Sequence, residues 1–510
     1  MFYDNVANFM DISIGYQALI EQLNLSVIKH YRKSYISLHG RGHIKINNHY
    51  ETHVYPNTYA LKDPDNPIAQ LVFALKYDGV NLEILQAVFN KLEQQVIEQA
   101  VKQHQSSKYI RVLWFLYELL TGVIISAPEI KKLKYVDVLD PERYFTAPGI
   151  KSVRHRVYNN LLGDQKFCPM IRKTKGLIAY IAEQYDVKAK ALADKYEPEI
   201  IARASHYLFT KETLSSYAIE REKPNKDRIQ RFINILQHAP KIEVLTKQQL
   251  LELQNIIVDP RFKDTDYRVN QNYIGENVNY MPRIHYISPR PQDVELLMEG
   301  LLATLYKAIN NKTHPVISAA MIAFGFVFIH PFEDGNGRIH RFLIHYILSK
   351  QQFTLPGIIF PVSAVMLRNM RTYDHILETF SKSLMHLFPD YTLSEDGILV
   401  VGEETSSYYK FIDYTLFAEY LFVCIEETLR EHFAREMEFL VKYDTTKHKI
   451  QTEIDMPDHL IDLFIRCVRQ NDGELGKKRR EQYFNKLTAQ EINKLENIVK
   501  TQMLGVEGGN

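Results

Sequence analysis

The fold of this chain is decided by residues 314–347, which read HPVISAAMIAFGFVFIHPFEDGNGRIHRFLIHYI. The stretch 314–329 is almost entirely apolar and has a proline at its second position, which is typical of a central helix buried on nearly all sides. Pro331 lacks an amide hydrogen and disfavours a helical residue before it, so we expect this helix to end at an extended His330. Helical periodicity returns at Phe342. The sequence therefore predicts a helix, a glycine-rich loop and a second helix.

Two glycines flank Asn336 in the predicted loop. Glycine permits left-handed backbone conformations and lets a ligand approach the backbone closely. Successive amides of such a loop at a helix N-terminus form a nest for anions, which the helix dipole reinforces. Arg338 and Arg341 lie three residues apart, so both guanidinium groups are expected on one side of the second helix. Their forked donors suit phosphate oxygens, and the loop is therefore predicted to bind phosphate.

Two side chains beside this loop have reactive groups. His330 has an ordinary pKa near ~6.5 and can accept a proton at neutral pH. Asp334 offers a hard oxygen ligand, which Mg²⁺ favours alongside substrate phosphates. A base, a metal-binding carboxylate and a phosphate-binding loop thus fall within residues 330–341. This combination indicates nucleotidyl or phosphoryl transfer to a hydroxyl.

Residues 330–341, HPFEDGNGRIHR, resemble the signature of the Fic (Doc-like) family, His-Pro-Phe-x-Asp/Glu-Gly-Asn-Gly-Arg-x-x-Arg, at every specified position. The resemblance implies a mainly α fold, with a Fic-type helical core and a short β-hairpin flap between helical N- and C-terminal regions. Residues 267–287 are similar to the flap, which aligns a segment of a target protein by strand addition. Residues 369–373 resemble the family's Asn-x-x-x-Tyr helix near the adenine pocket.

The resemblance also implies roles for individual residues. Family members with an intact motif mostly transfer AMP from ATP to a Ser, Thr or Tyr hydroxyl of a protein. By this resemblance His330 would be the general base, and Asp334 would hold the Mg²⁺ that bridges the α- and β-phosphates. The nucleotide would contact the amides of Gly335, Asn336 and Gly337, the Asn336 side chain, Arg338 (β-phosphate), Arg341 (γ-phosphate) and Tyr373.

A second family feature lies at residues 215–221, SSYAIER. It is similar to the inhibitory helix of the family, Ser/Thr-x-x-x-Glu-Gly/Asn, with Ser216 and Glu220 at the specified positions. In the family this glutamate pairs with the second motif arginine, here Arg341, and blocks the γ-phosphate. Arg221 departs from the pattern, and its bulk should hinder the close packing that glycine permits. Inhibition by Glu220 is therefore a hypothesis, and an ordinary surface pair on a helix is the alternative.

The 510 residues are too many for one hydrophobic core, so several regions are expected. Residues 1–205 are predicted to be mostly helical, with an early hairpin formed by strands at 34–38 and 43–46. Residues 206–388 are predicted to form the catalytic domain, including the inhibitory helix and the flap. Residues 389–510 are predicted to form a helical C-terminal region.

Composition narrows the range of partners. The 62 basic side chains nearly cancel the 61 acidic ones, which speaks against nucleic acid or an anionic membrane as the partner. Three widely spaced cysteines exclude a disulfide framework and are typical of a reducing compartment, so a cytoplasmic location is predicted. The expected partners are a nucleotide and a target protein that docks at the flap, 267–287. The sequence leaves open whether the chain forms a homodimer.

Other functions stay open at this point. The same site could transfer UMP, phosphate or phosphocholine, or remove AMP from a modified protein, since His330 and Asp334 serve those reactions too. The chain could also be a catalytically silent regulator that binds a nucleotide, and Arg221 is the reason to consider this class. The intact Arg341 favours a nucleoside triphosphate, but the base does not follow from the sequence.

Overall fold

The protein is described here by a computed structural model that covers residues 11–38, 40–128, 130, 132–278, 281–388, 391–394, 399–402 and 404–505. Contacts divide the chain into two compact units. The first unit contains the residues up to Glu183, Ser216–Phe353 and Met366–Phe422, and the second contains Gln184–Ser215, Thr354–Val365 and the residues from Val423 onward. The described chain is mainly helical with small sheets, so the predicted fold class is confirmed.

The helices are numbered in chain order. They are Tyr16–Gln22 (α1), Pro67–Phe73 (α2), Leu82–Lys91 (α3), Gln94–His104 (α4), Lys108–Thr121 (α5), Lys175–Ala182 (α6), Tyr185–Ala193 (α7), Pro198–Ile219 (α8), Lys226–His238 (α9), Lys247–Ile257 (α10), Pro291–Asn310 (α11), Pro315–Ile329 (α12), Asn336–Lys350 (α13), Val362–Arg368 (α14), Met370–Met385 (α15), Ser406–Lys410 (α16), Thr415–Glu427 (α17), Ala434–Glu453 (α18), Asp458–Gln470 (α19), Lys477–Tyr483 (α20) and Ala489–Val499 (α21).

The strands form small separate sheets. They are Asp11–Ser13 (β1), Arg32–Ser37 (β2), His43–Asn47 (β3), Tyr50–Pro56 (β4), Val136–Asp137 (β5), Ile150–Ser152 (β6), Val157–Asn159 (β7), Tyr273–Val278 (β8), Met281–Ile287 (β9), Tyr391–Leu393 (β10) and Leu399–Val401 (β11). The strand orders are β1-β2-β4-β3, β5-β7-β6, β8-β9 and β10-β11.

Helices α12 and α13 form the centre of the first unit. Every residue of α12 from Val316 to Ile329 is buried, as its apolar sequence predicts. Helix α13 packs along α12, and α11 packs beside it. Gly325 permits the close approach of α11, because a Cβ atom there would lie 3.1 Å from Leu301 Cδ1. The predicted order of helix, glycine-rich loop and helix is therefore confirmed, and the loop is held between two buried helices.

The predicted pairing of strands 34–38 and 43–46 is wrong. Strand β2 pairs instead with β4, in parallel, and β3 forms an antiparallel hairpin with β4. Asn48 begins the turn of this hairpin with a left-handed φ of 55°, a conformation that asparagine tolerates and that two-residue hairpin turns require. His39, in the segment predicted as the turn, lies outside the described residues.

The second unit has a helical core of its own. Helices α18, α19 and α21 contribute Ile450, Phe464 and Leu495 to one cluster of buried apolar side chains. Arg203 on α8 forms an ion pair with Asp444 on α18, with 2.7 Å between Nη1 and Oδ1. None of the helices in the described part of the chain combines the length and apolar character needed to cross a membrane.

Candidate active site

His330 follows the last residue of α12 and ends this helix. Its φ of 53° and ψ of 59° are left-handed, so the prediction that His330 is extended is wrong. Its amide donates a hydrogen bond of 2.9 Å to the Phe326 carbonyl oxygen, which closes the helix end. A left-handed residue other than glycine costs about 1–3 kcal/mol and persists where the surroundings fix it, often at functional sites.

Arg268 fixes the backbone at His330. Its Nε donates to the His330 carbonyl oxygen at 2.7 Å, and its other nitrogens donate to the carbonyl oxygens of Asn270 (2.8 Å) and Pro289 (2.5 Å). The Arg268 amide also donates to the Pro331 carbonyl oxygen at 2.8 Å. The side chain is buried, and burial lowers the pKa of Arg268 to about 10. These bonds offset the strain at His330.

The protonation state of His330 follows from its contacts. Nδ1 lies 3.1 Å from the Val327 carbonyl oxygen, which can only accept, so Nδ1 carries the hydrogen and Nε2 has a free lone pair in the neutral ring. Burial lowers the pKa of His330 to about 4. The ring is therefore neutral at physiological pH, with a proton acceptor at Nε2.

The glycine-rich loop is held in its conformation by hydrogen bonds from its own side chains. Gly335 has a left-handed φ of 90°, and its amide donates to Asp334 Oδ1 at 2.5 Å. Asn336 is buried and bonds twice to Phe332: its Oδ1 accepts from the Phe332 amide at 3.0 Å, and its Nδ2 donates to the carbonyl oxygen at 2.7 Å. In this arrangement the Asn336 side chain holds the loop together.

Arg341 is buried on α13 and is paired with α8 and the residue that follows this helix. Its Nε donates to Ser216 Oγ at 2.8 Å, and its Nη2 donates to the Ser216 carbonyl oxygen at 2.9 Å. Nη2 also contacts Glu220 Oε1 at 2.7 Å. The same oxygen would lie only 2.1 Å from a Cβ atom at Gly337. The Glu220 carboxylate is thus bound at the glycine loop as an anion would be.

Arg338 is equally buried and contacts two carboxylates. Its Nη2 lies 2.7 Å from Asp334 Oδ1 and 2.9 Å from Glu222 Oε1. The guanidinium group lies over the Tyr217 ring, 5.5 Å from the centroid. Only 1% of the Arg338 side chain is exposed, compared with 44% of Asp334 and 30% of Glu222. Both motif arginines are therefore neutralised by carboxylates of the chain itself.

Tyr373 lies in the first helical turn of α15, next to the charged side chains that surround Arg341. Its ring is nearly parallel to the rings of His340 and Tyr420, with centroids 6.5 and 6.2 Å away. Burial raises the pKa of Tyr373 to about 12, and Arg341 acts in the opposite direction. The structure thus places Tyr373 against Arg341 within a buried aromatic stack.

The Fic/DOC family profile matches residues 244–348, which include α10–α12 and the whole motif 330–341. Residues 244–348 of the chain therefore form a Fic/DOC domain. The matched segment is the part of the chain that contains His330, the glycine loop and both arginines, while Ser216 and Glu220 precede it.

Individual relatives agree with this assignment. Over 120 residues the chain is 34% identical to the protein adenylyltransferase Fic of Drosophila mojavensis, covering 23% of this chain and 22% of the relative. The protein of the same name from Drosophila grimshawi is 35% identical over 124 residues, covering 24% and 23%. The chain thus matches less than a quarter of the length of these curated relatives.

Two solved structures are similar to the chain. A Fic family protein from Desulfovibrio desulfuricans matches with a TM-score of 0.36 and 16% identity, covering 66% of this chain and 85% of that one. A Fic domain containing signaling protein from Bacteroides thetaiotaomicron matches with a TM-score of 0.36 and 18% identity, covering 52% and 97%.

The segment 267–287, which resembles the family's flap, contains an antiparallel hairpin. Strand β8 pairs with β9, with Tyr273 opposite Ile287 and an irregularity between Ile274 and Gly275. The Tyr286 hydroxyl donates to the Phe328 carbonyl oxygen, which ties the hairpin to α12 close to His330. The turn residues 279–280 lie outside the described residues. The hairpin occupies the second part of the segment 267–287 that resembles the flap.

Several residues of the site carry no sequence signal. Both Arg268 and Glu222 lie far from the motif in sequence; Glu222 belongs to none of the quoted patterns, and the flap-like segment 267–287 gives Arg268 no role of its own. Gln254 on α10 donates to the Asp334 carbonyl oxygen at 3.3 Å, and Asp264 Oδ2 accepts from the Glu333 amide at 3.1 Å. Such contacts depend on chain folding over long sequence separations, so only the resemblance of a longer segment could have indicated them.

The residues present fit a magnesium-bound nucleoside triphosphate. The bound Glu220 carboxylate shows that the loop at Gly337 accepts an anionic oxygen beside Arg341. Asp334 is partly exposed and provides one carboxylate, which suits Mg²⁺ because this ion takes its remaining ligands from phosphates and water. Two buried arginines supply the charge for further phosphate oxygens.

Replacement of Arg221 by glycine is expected to stabilise the protein. Arg221 adopts a left-handed φ of 57°, a backbone conformation that glycine and asparagine tolerate best. The family's preference for Gly or Asn at this position is therefore explained by the backbone conformation, whereas the sequence alone suggests close packing as the reason. Relief of this strain should contribute up to about 1 kcal/mol, measured as a rise in melting temperature. Arg221→Asn should act in the same direction. A lower melting temperature for both variants would show that the Arg221 side chain makes a needed contact, for instance with Asp374.

Proposed function

We propose that this Fic protein is a protein adenylyltransferase, which transfers AMP from ATP to a Ser, Thr or Tyr hydroxyl, and that Glu220 holds it in an inhibited state. The observation that carries this proposal is the carboxylate of Glu220, which lies at the glycine loop 2.7 Å from Arg341 Nη2. An internal anion at this position supports a site for phosphate oxygens and would exclude a triphosphate from the same place. The curated relatives, which are named protein adenylyltransferases, support the reaction type.

The chemistry requires a base and fixed positive charge. Nε2 of His330 takes the proton of the target hydroxyl, whose oxygen then forms a bond to the α-phosphorus while pyrophosphate leaves. Arg338 and Arg341 place positive charge beside the leaving phosphates, and the amides of residues 335–337 orient them. Magnesium, held by Asp334, would supply further positive charge to the phosphates. The site also has to hold the target hydroxyl and the α-phosphorus in a reactive geometry.

The proposal also gives roles to the regions of the chain around the site. The target protein docks at the flap, 267–287, by adding a strand to the hairpin. The catalytic domain comprises residues 206–388, and residues 1–205 and 389–510 recognise the target or support this domain. The proposed location is cytoplasmic, and the protein acts as a monomer or a homodimer.

The pH dependence of catalysis should reflect the low pKa of His330. A lowered pKa means that the neutral, proton-accepting ring is present above about pH 4 and is lost only as the pH falls through this value. We therefore expect kcat/KM for AMP transfer to stay constant from neutral pH down to about one unit above that pKa. The Glu220→Gly variant is suitable for the measurement, and loss of this carboxylate should lower the His330 pKa further. A midpoint near pH ~6.5, the ordinary value for histidine, would contradict this prediction.

The proposed reaction is tested by incubating the Glu220→Gly variant with four nucleoside triphosphates, each labelled at the α-phosphate, and with ATP labelled at the γ-phosphate. Labelled protein in the α-ATP sample alone supports AMP transfer. Label from γ-ATP would instead show phosphate transfer, and label from UTP alone would show UMP transfer. Tight ATP binding without label in any sample would identify a silent regulator. Each of these three results would overturn the proposal.

A further inference from the structure

Arg338 has a partner outside the motif, although the family resemblance assigns an inhibitory contact only to Arg341. Glu222 Oε1 lies 2.9 Å from Arg338 Nη2, and this arginine is buried. We propose that Glu222 is a second inhibitory carboxylate, which holds Arg338 as Glu220 holds Arg341. The inference rests on the proposed nucleotide site and assigns a further means of regulation to it.

The end of α8 brings both carboxylates to the motif. The helix ends at Ile219, and the left-handed Arg221 then reverses the chain. The Arg221 amide donates to the Ala218 carbonyl oxygen at 3.0 Å, and the Glu222 amide donates to the Tyr217 carbonyl oxygen at 3.0 Å. This is the hydrogen-bond pattern of a left-handed helix end. Because the reversal lies between the two glutamates, Glu220 contacts Arg341 while Glu222 contacts Arg338.

Arg228 holds Glu222 in this position. Its Nη2 lies 2.9 Å from Glu222 Oε2 and donates to the Ile257 carbonyl oxygen at 2.9 Å. The Tyr217 hydroxyl donates to the same carbonyl oxygen at 3.1 Å. Both oxygens of Glu222 are therefore bound, one by Arg228 and the other by Arg338. Contacts on two sides fix a side chain that would otherwise move freely at the surface.

The charges of this network cancel. It contains the guanidinium groups of Arg228, Arg338 and Arg341 and the carboxylates of Asp334, Glu220 and Glu222, three of each sign. A triphosphate has to replace carboxylates at both motif arginines. Removal of Glu220 breaks its ion pair with Arg341 but leaves Arg338 paired with Glu222. The two carboxylates should therefore weaken nucleotide binding separately.

The test compares the full chain with Glu220→Gly, Glu222→Gln and the double variant. Glutamine keeps the shape of Glu222 and removes its charge. Binding of a fluorescent ATP analogue with Mg²⁺ should be about tenfold tighter in the double variant than in Glu220→Gly, which corresponds to about 1.4 kcal/mol. Glu222→Asp, whose shorter carboxylate should not reach Arg338, should act in the same direction if the Gln variant misfolds.

A matched control is Glu299→Gln, since Glu299 forms an exposed pair with Lys166, at 2.5 Å, away from the motif. This change should leave ATP binding unaltered. Equal affinity of the double variant and Glu220→Gly would overturn the role of Glu222, and AMP transfer by Glu220→Gly would then leave the proposed function intact. Conversely, tighter binding without AMP transfer in any variant would support Glu222 as an inhibitor and contradict the transferase.

Discussion

The Glu220→Gly variant should transfer AMP about 10 to 100 times faster than the unchanged chain. Arg341 is buried, and its ion pair with Glu220 must break before a phosphate can take the same place. A charged hydrogen bond of this kind is worth about 1.5–3 kcal/mol, and each 1.4 kcal/mol corresponds to about a factor of ten. Loss of the carboxylate also removes the oxygen that occupies the space beside Gly337, where a Cβ atom would lie 2.1 Å from it. Incorporation of α-labelled AMP into protein measures the effect.

The gain should appear mainly in nucleotide binding. Glu220 does not reach His330 by any hydrogen bond in the described structure, so the rate at saturating ATP should rise less than the rate at low ATP. Glu299→Gln removes an exposed carboxylate of the same unit and should leave both rates unchanged. If Glu220→Gly binds ATP no more tightly than the unchanged chain, then the pair with Arg341 is structural and the inhibitory role is wrong.

The central helices could be predicted from the sequence because local rules determine them. The apolar stretch before His330 can only be a buried helix in a globular protein, Pro331 ends it, and the glycines mark the loop. The conformation of His330 could not be predicted in the same way. Local rules favour an extended residue before proline, whereas Arg268, which lies far away in sequence, holds His330 in a left-handed conformation.

For residues 216–222, too, part of the arrangement was predictable from the sequence and part was not. Ser216 and Glu220 were recognisable from their spacing, and both contact Arg341. The sequence pattern predicts that the bulk of Arg221 hinders packing, but its side chain is exposed where the backbone reverses direction. No sequence pattern pointed to Glu222, because its contact with Arg338 depends on that reversal of the backbone. Sequence patterns can identify single residues such as Glu220, but the ion pairs that join them become visible only in the folded chain.

The largest loss of activity is expected for His330→Asn in the Glu220→Gly background. Asparagine tolerates the left-handed conformation of residue 330, so the helix end and the bond to Arg268 should persist. Without a proton acceptor at Nε2, kcat should fall by about 10²- to 10⁴-fold. The affinity for ATP should remain within about twofold, because the phosphates contact the loop and the arginines rather than the imidazole. Single-turnover transfer and equilibrium binding separate the two quantities.

His375→Asn provides the matched control for this loss. His375 is exposed on α15, and the substitution makes the same chemical change outside the network. It should leave kcat unaltered. A His330→Asn variant that still transfers AMP at a rate close to that of Glu220→Gly would mean that His330 is not the base and that the hydroxyl proton passes to water or to a phosphate oxygen. In that case catalysis would rest on positioning and on the positive charge of Arg338, Arg341 and the magnesium ion, and the strain at His330 would serve the geometry of the loop.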